Sequence, residues 1–519
     1  MKRIALLNIS ANALQLESVL KMIEASPENA YLCSRKLDGI HSPNLRSAVE
    51  HIEFLEYCCD ANELVVIADE NYKLEEQVLN SFFSNSLGTV WHIQSNGELA
   101  PYRLNPVRKS GLLLVFPGPI LPLTLGSHQR AFNLLFNLSK NGVAVDVLIT
   151  TPKNQNPLAY KKALGSICNN VYVYKNNKRK LKKIDLFKRD VEGFVRNITG
   201  KKQDLPDFFS ERSYTRPTES CKKWVNSLYL ANNYKSIIIS YAWMMDSVKY
   251  IEHDKDRFKL ICDTHDVQFT RNMSILNRKE RLFFNSVREK KLEIRYLNKC
   301  DAVLAISGSD EAVLKRTLKK STKVIRASAG FDYALSEIKR RPPGRPLNFG
   351  FIGGQMSANV QSLLFILENW WPTIKENSPD SKLFIAGSVS KSPLIISETF
   401  YDQSIVALGF VKTIDEFYKA IDISLNPVLV QGGLNFKSVE AVFSGKHLFT
   451  NRLGQACLGK EFPATIIEEQ GDLVEFISKY EFDLNTERTL RQSNQKKAKE
   501  MFSNNSTYQE LISYFSSQY

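Results

Sequence analysis

The stretch Asn426-Pro427-Val428-Leu429-Val430-Gln431-Gly432-Gly433-Leu434-Asn435-Phe436-Lys437-Ser438-Val439-Glu440-Ala441-Val442-Phe443-Ser444-Gly445-Lys446 decides the fold. Apolar Ile423–Leu425 runs into it as a strand, a glycine-rich turn follows, and helical spacing takes over from about Leu434 to Ser444. The first amides of a helix have no intrahelical acceptor and favour a phosphate group, and Gly432 and Gly433 let the backbone approach one closely. Lys437 falls in the first helical turn and adds positive charge. Glu440, three residues later, shares its face. A carboxylate there accepts two hydrogen bonds from a ribose diol, as the acidic residue of a dinucleotide-binding fold does.

Eighty residues upstream the logic repeats. Strand Asn348–Ile352 enters Gly353-Gly354-Gln355-Met356-Ser357-Ala358-Asn359, with Asn359 expected to cap a helix reaching about Glu376. Each glycine pair is weak evidence alone. Two of them in one α/β series, with further strands at Lys382–Ala386, Ile405–Leu408 and His447–Thr450, predict a doubly wound sheet over 339–519. A second such unit is expected over 106–338. The continuous apolar run Gly111–Phe116 suits a strand buried on both faces. A helix over about Ser127–Asn141, strands Val143–Ile149, Ser236–Ser240, Leu260–Asp263 and Ala302–Ile306, and a helix over about Arg278–Lys299 continue it. Residues 1–105 read as a small α/β accessory unit, with strands Ile4–Ile9, Leu64–Ala68 and Thr89–Ile93 and helices Leu14–Ile23 and Leu74–Phe83. Linkers are expected at Pro101–Pro106 and Arg340–Pro346.

At 519 residues the chain is too long for one core. Its 43% hydrophobic and 24% charged residues exclude disorder as the main character. No apolar run approaches the roughly 20 residues of a membrane span, and the apolar start at Ile4 is broken by Asn8 and Ser10, so a cytoplasmic protein is expected. The eight cysteines form no Cys-x-x-Cys pair and no histidine cluster sits near them, which argues against zinc and against a disulfide framework.

The net charge of +14 is uneven: from Lys153 to Lys202 there are fourteen Lys or Arg against three acids, densest at Lys175–Lys183. This basic insertion, 153–202, reads equally as a solvated loop or as a patch for an anionic membrane surface or an anionic lipid-linked acceptor. Nucleic acid is not expected, since neither zinc-finger spacing nor an RNA-binding aromatic signature is present. An NAD-dependent enzyme is disfavoured because neither glycine pair completes Gly-x-Gly-x-x-Gly.

From about residue 111 to 480 the sequence resembles the GT-B glycosyltransferases of the large retaining group called family 4. The likeness is carried by Phe351-Ile352-Gly353-Gly354 with Asn359, Trp371-Pro372, Leu383–Gly387, Leu408-Gly409-Phe410-Val411, Tyr418–Asp422 and the Gly433–Gly445 segment. In the first domain Leu123-Thr124-Leu125-Gly126-Ser127-His128-Gln129-Arg130 resembles the family's first cleft loop. Asp263-Thr264-His265-Asp266 resembles its strand-end motif, and Asp301–Ser307 its last strand. The resemblance implies two facing Rossmann-like domains and a nucleotide-sugar donor. The donor would be held by Gly353, Gly354, Asn359, Phe410, Gly432, Gly433, Leu434, Asn435, Lys437 and Glu440. A saccharide or lipid-linked acceptor, in surface polysaccharide or glycolipid synthesis, is implied by family habit, as is retention of configuration.

It also implies that His265 sits near the transferred sugar, with Asp263 and Asp266 orienting it or contacting the acceptor, and His128 making a similar claim from the first loop. Lys437, helix N-termini and Arg130 are candidates to stabilise the departing diphosphate. No cofactor and no metal are expected, none of these motifs being an Asp-x-Asp. Two departures from the family pattern stand out. Gly432 occupies the place of the first of two glutamates separated by seven residues, and Gly353–Asn359 supplies neither of the usual Arg and Lys. They keep open a second reading, a catalytically degenerate binding or scaffold protein.

Overall fold

Three parallel sheets organise the computed structural model, which describes residues 2–9, 11–49, 51–68, 72, 74–85, 87–104, 111–151, 156–175, 217–252, 258–275, 286–331, 346–430, 433–479 and 484–516. The accessory unit has β1 (Arg3–Asn8), β2 (Ala30–Cys33), β3 (Leu45–Ser47), β4 (Glu63–Ile67), β5 (Thr89–Ile93) and β6 (Leu99–Pro101), in spatial order β3-β2-β1-β4-β5-β6. All its pairings are parallel except β5 with β6.

The central domain carries β7 (Leu112–Pro117), β8 (Val145–Thr151), β9 (Asn170–Lys175), β10 (Ser236–Ser240), β11 (Lys259–Asp263), β12 (Ala302–Ala305) and β13 (Lys323–Arg326), ordered β13-β12-β11-β10-β7-β8-β9 and wholly parallel. The third sheet has β14 (Asn348–Ile352), β15 (Lys382–Ala386), β16 (Ile405–Gly409), β17 (Ile423–Leu425), β18 (His447–Thr450) and β19 (Thr465–Ile466), ordered β16-β15-β14-β17-β18-β19. Both of these sheets are doubly wound, so ligands are expected outside the carboxyl ends of their strands, where order reverses. Burial follows the residues: Leu112–Val115, Ile237–Ile239 and Val303–Ala305 are fully buried, as unbroken apolar runs require.

Several expectations need correction. The Pro101–Pro106 linker is not loose where described: Tyr102 and Leu104 are buried, and Leu74 N–H donates to the Tyr102 hydroxyl at 2.8 Å. Residues 74–83 share one hydrophobic core with β7, β8 and the helix Gly126–Lys140, so the accessory unit is welded to the central domain. The predicted helix ending at Glu376 is Ser357–Phe365, one π turn at Ile366–Trp370, then Trp371–Asn377. The helix expected from Leu434 begins at Phe436 and ends at Phe443. Arg340–Arg345, residues 278–285, and 176–202 of the basic insertion lie outside the described residues.

The C-terminal helices tie the domains together. Leu484–Phe502 packs on Phe436–Phe443, whereas Asn504–Ser516 crosses back and places Tyr508, Leu511 and Phe515 in the central core. Asn504 sits at the junction: it accepts from Asn137 Nδ2 at 3.0 Å and donates to the Glu76 carboxylate of the accessory unit. All eight cysteines are buried and none is in a disulfide. Met244 and Met245 are core residues, and His447 is held by Glu487 at 2.9 Å. No helix among the described residues is long and apolar enough to cross a membrane.

Candidate active site

A cavity of about 440 Å³ lies where the two doubly wound domains face each other. The C-terminal domain lines it with Gly353, Gly354, Asn359, Leu434, Asn435, Lys437 and Glu440, and the central domain with Leu123–Gly126 and Gln129. Phe410, 61% exposed, stands at its edge. The two glycine turns, distant in sequence, are therefore neighbours.

Three helices begin at this cavity: Gly126–Lys140, Ser357–Phe365 and Phe436–Phe443. Their N-caps, Leu125, Met356 and Asn435, make no side-chain cap hydrogen bond. Asn12, Asn156, Thr218, Ser307, Thr413 and Asn451 cap other helices, and Glu76–Phe83 and Pro393–Tyr401 also start without a side-chain cap. Starts left without side-chain caps around one cavity form a cradle for an anion, because their amides and dipoles point at the same space.

Asn359 is not a cap, contrary to expectation. Its helix starts two residues earlier, at Ser357, so Asn359 has room to bridge the turns instead. Its Nδ2 donates to Gly354 O at 3.0 Å and its Oδ1 accepts from Lys437 Nζ at 2.9 Å. The Lys437 ammonium lies 4.0 Å over the Phe351 ring. Burial pushes its pKa down to about 7, partly opposed by the Glu440 carboxylate. Lys437 thus switches its charge near neutral pH, and an arriving anion favours the charged form. Glu440 is 6% exposed, on the same helix and the same cavity wall.

Gly433 has φ +74°, and a Cβ there would meet Asp266 Oδ1 at 2.3 Å, so the turn requires glycine. The Asp310 carboxylate, at the start of Gly308–Thr317, accepts from the Ser307 hydroxyl at 2.8 Å and lies near the Gly433 and Val267 amides, and burial raises its pKa to about 6. The turn of one domain is thus docked on two acids of the other. Asp310 was missed from sequence because an acid in a first helical turn reads as an ordinary dipole partner. Gln431 and Gly432 lie outside the described residues.

The central-domain motif behaves differently. Arg130, expected to face a diphosphate, is 2% exposed. Its Nε and Nη2 clasp Asp263 at 3.0 and 2.5 Å, and its Nη1 donates to Ala327 O at 2.6 Å. An arginine so engaged has no face left for a ligand, which corrects that assignment. Asp263 is wholly buried. Burial pushes its pKa up, yet the Arg130 guanidinium and His265 hold the carboxyl well below the usual range. It is a positioning group out of an acceptor's reach.

His265 has φ +57° and Tyr241 φ +71°, conformations that L-residues rarely adopt. Their rings stack at 4.1 Å, at the ends of adjacent strands β11 and β10. His265 Nε2 is 3.1 Å from Asp263 Oδ2, off the line of a hydrogen bond. His265 is 5% exposed and is not among the walls of the cavity. Asp266 turns away toward Gly433 and pairs with Arg271 at 3.4 Å. His128 is buried with Nδ1 3.0 Å from Pro122 O, and burial pushes its pKa down. Ser127 is half-buried and, like His128, not among the cavity walls. Gly126 is: a Cβ there would stand 3.2 Å from the Phe436 ring across the cleft. One Asp-x-Asp does occur in the chain, Asp254-Lys255-Asp256, outside the described residues.

Residues 346–479 match the family model described as glycosyl transferases group 1; the chain is a glycosyltransferase. Solved structures are similar over most of its length. HepE of Anabaena, solved in complex with UDP and glucose, has a TM-score of 0.51 at 14% identity, covering 79% of this chain and 100% of that one. Sucrose-phosphate synthase of Thermosynechococcus elongatus gives 0.54 at 12%, covering 79% and 98%. A glycosyltransferase from Rickettsia africae gives 0.50 at 12%, with the same coverage. These likenesses carry the fold: GT-B, with two Rossmann-like domains. No curated protein sequence matches the chain.

Proposed function

From the premise of a GT-B glycosyltransferase, we propose that this protein transfers a sugar from a nucleoside-diphosphate sugar to a saccharide or lipid-linked acceptor, with retention of configuration. The observation that carries the donor reading is the convergence of three helix starts without side-chain caps, Lys437 and Glu440 on one cavity. The diphosphate fits the glycine turns, and Glu440 fits the ribose diol. Sugar transfer passes through an oxocarbenium-like state while the diphosphate leaves with growing negative charge. Lys437 and the helix amides meet that charge. Asp263 and Arg130 hold the His265 segment beside the sugar as positioning groups. We propose that no divalent metal is required; loss of activity with EDTA and recovery with Mg²⁺ or Mn²⁺ would overturn this.

The group 1 match and the UDP-bound HepE structure support a nucleotide donor. Surface polysaccharide or glycolipid synthesis, at the cytoplasmic face of a membrane, completes the proposal, the Lys175–Lys183 run supplying reversible, salt-sensitive contact with anionic lipid. Sedimentation with anionic liposomes at low salt, with and without Lys178, Arg179, Lys180, Lys182 and Lys183 replaced by Ser, tests that part.

Gly432, standing where many relatives have a glutamate, favours a second reading, a binding or scaffold protein without turnover. One experiment separates them: calorimetric titration of nucleoside diphosphates, then a mass-spectrometric screen for donor hydrolysis. Binding with hydrolysis is the expected result. Binding of nothing, with no hydrolysis, would leave the scaffold.

A further inference from the structure

Beside the Lys437–Asn359 bridge a second pocket opens, of about 180 Å³. It shares Asn359, Leu434, Asn435 and Lys437 with the donor cavity but not Glu440. It therefore adjoins the diphosphate end of that cavity and not the ribose end. On the donor reading above, the group bonded to that end of the diphosphate is the transferred sugar. The volume is below the roughly 300–1,000 Å³ of a pocket for a drug-sized ligand and suits a single ring.

The walls narrow the kind of sugar. Val428, Leu429, Val430 and Leu434 offer apolar surface to the C–H faces of a ring. Arg271, on the helix Gln268–Ile275, is the central domain's sole contribution among the described residues. Two cations, Arg271 and Lys437, thus line the pocket, and among the described residues no Asp or Glu does. Lys437 is engaged with Asn359 and, on the donor reading, with the diphosphate. Arg271 is then the charge that a substituent on the sugar meets.

Arg271 is unlike Arg130. The Arg130 guanidinium is 2% exposed and commits Nε, Nη1 and Nη2 to Asp263 and Ala327 O. The Arg271 side chain is 20% exposed and faces a cavity, with Nε 3.4 Å from Asp266 Oδ2. Asp266 orients the guanidinium and is not itself among the pocket's walls. A planar guanidinium takes a carboxylate through two parallel N–H···O bonds, a geometry that a neutral hydroxymethyl group cannot use. Gly432, where many relatives have a glutamate, brings no carboxylate that would repel an acidic sugar.

We propose that the transferred sugar is a sugar acid and that Arg271 selects it by pairing with its carboxylate. The proposal rests on the donor reading. A neutral hexose in the same place gains at most an ordinary hydrogen bond where the acid gains two charge-assisted ones, and that difference is the discrimination.

The test compares donors that differ only at C6 of the sugar: UDP-glucuronate against UDP-glucose, and GDP-mannuronate against GDP-mannose. Each is titrated calorimetrically into the full chain, with UDP and GDP as probes that lack the sugar. The wild type should bind the acid of one pair about tenfold or more tightly than its neutral partner. In Arg271→Gln that ratio should fall to within about twofold, and Arg271→Lys, which keeps the charge but not the fork, should give an intermediate ratio. A merely structural arginine would scale both affinities alike and leave the ratio unchanged. A wild type that binds UDP or GDP but prefers neither acid would overturn the sugar assignment and leave the donor reading standing, as would an unchanged ratio in both variants. If neither diphosphate and none of the donors binds, the donor reading falls and the sugar acid with it. Should Arg271→Gln fail to fold, the wild-type ratio and Arg271→Lys decide the matter.

Discussion

On the central-domain wall of the cleft, Arg130, Asp263 and His265 are occupied with one another, behind two residues held in left-handed backbone. On the C-terminal wall, Lys437 and Glu440 line the cavity itself, at a helix start without a side-chain cap. Arg130 and Lys437 look alike in sequence, each a cation in the first turns of a helix after a glycine. The difference teaches that a cation's place in a motif does not say whether its charge is available. What matters is whether a carboxylate already owns it, and a buried carboxylate such as Asp263 does.

The largest expected effect would break this comparison if it failed. Asp263→Ala strands a guanidinium that is 2% exposed, so stability to urea should fall by about 3–5 kcal/mol. Lys437→Met removes an ammonium that burial disfavours, so it should not lower stability at neutral pH and should raise it below pH 7. Equal losses would mean the two walls are not different. Next in size, Glu440→Ala should weaken nucleoside diphosphate binding by about 1.5–3 kcal/mol in calorimetry, with the melting temperature little changed.

A pH series sharpens the contrast. Lys437 is pushed down to about 7, and its charged form suits a diphosphate. Affinity should therefore fall as pH rises through 7, by up to about tenfold per unit, and the slope should vanish in Lys437→Met. The stability linkage has the opposite sense. The native lysine binds fewer protons than the unfolded one from pH 7 to about 10, so its cost is full below 7 and relieved as pH rises. The stability gap between Lys437→Met and wild type should close over that range. A flat binding profile in the wild type would remove the lysine from the diphosphate. The smallest effect tests the docking of the two walls. Gly433→Ala forces a side chain into a positive φ and against Asp266, costing about 1 kcal/mol or somewhat more in urea denaturation, and less in an Asp266→Ala background.

Much of this was legible beforehand. Unbroken apolar runs such as Leu112–Val115 and the glycine pairs gave the sheets and their ligand-bearing ends, because burial on both faces and close backbone approach leave little choice of residue. Lys437, Glu440 and the two turns are singled out on the same grounds, and the fold brings them to one cavity. The failures share a cause. Asn359 as a bridge, Arg130 as a structural ion pair and Asp310 as a clamp each depend on a partner far away in sequence: 78 residues for Lys437 to Asn359, 133 for Arg130 to Asp263. Periodicity and local motifs carry no information at that range. The stacking of Tyr241 on His265 is likewise set by two strand ends that only the sheet brings together.

The helix Asn504–Ser516 has a consequence for the order in which the protein can be made. Tyr508, Leu511 and Phe515 complete a core whose other members begin in the accessory unit, and Asn504 fastens Glu76 to Asn137. On a ribosome, the first two-thirds of the polypeptide therefore emerges long before the residues that seal its interior. The C-terminal domain, with its own local sheet, can close as it is synthesised. The earlier portion must wait, exposing apolar surface in the interval, and its dependence on chaperones during translation should exceed that of the part made after it.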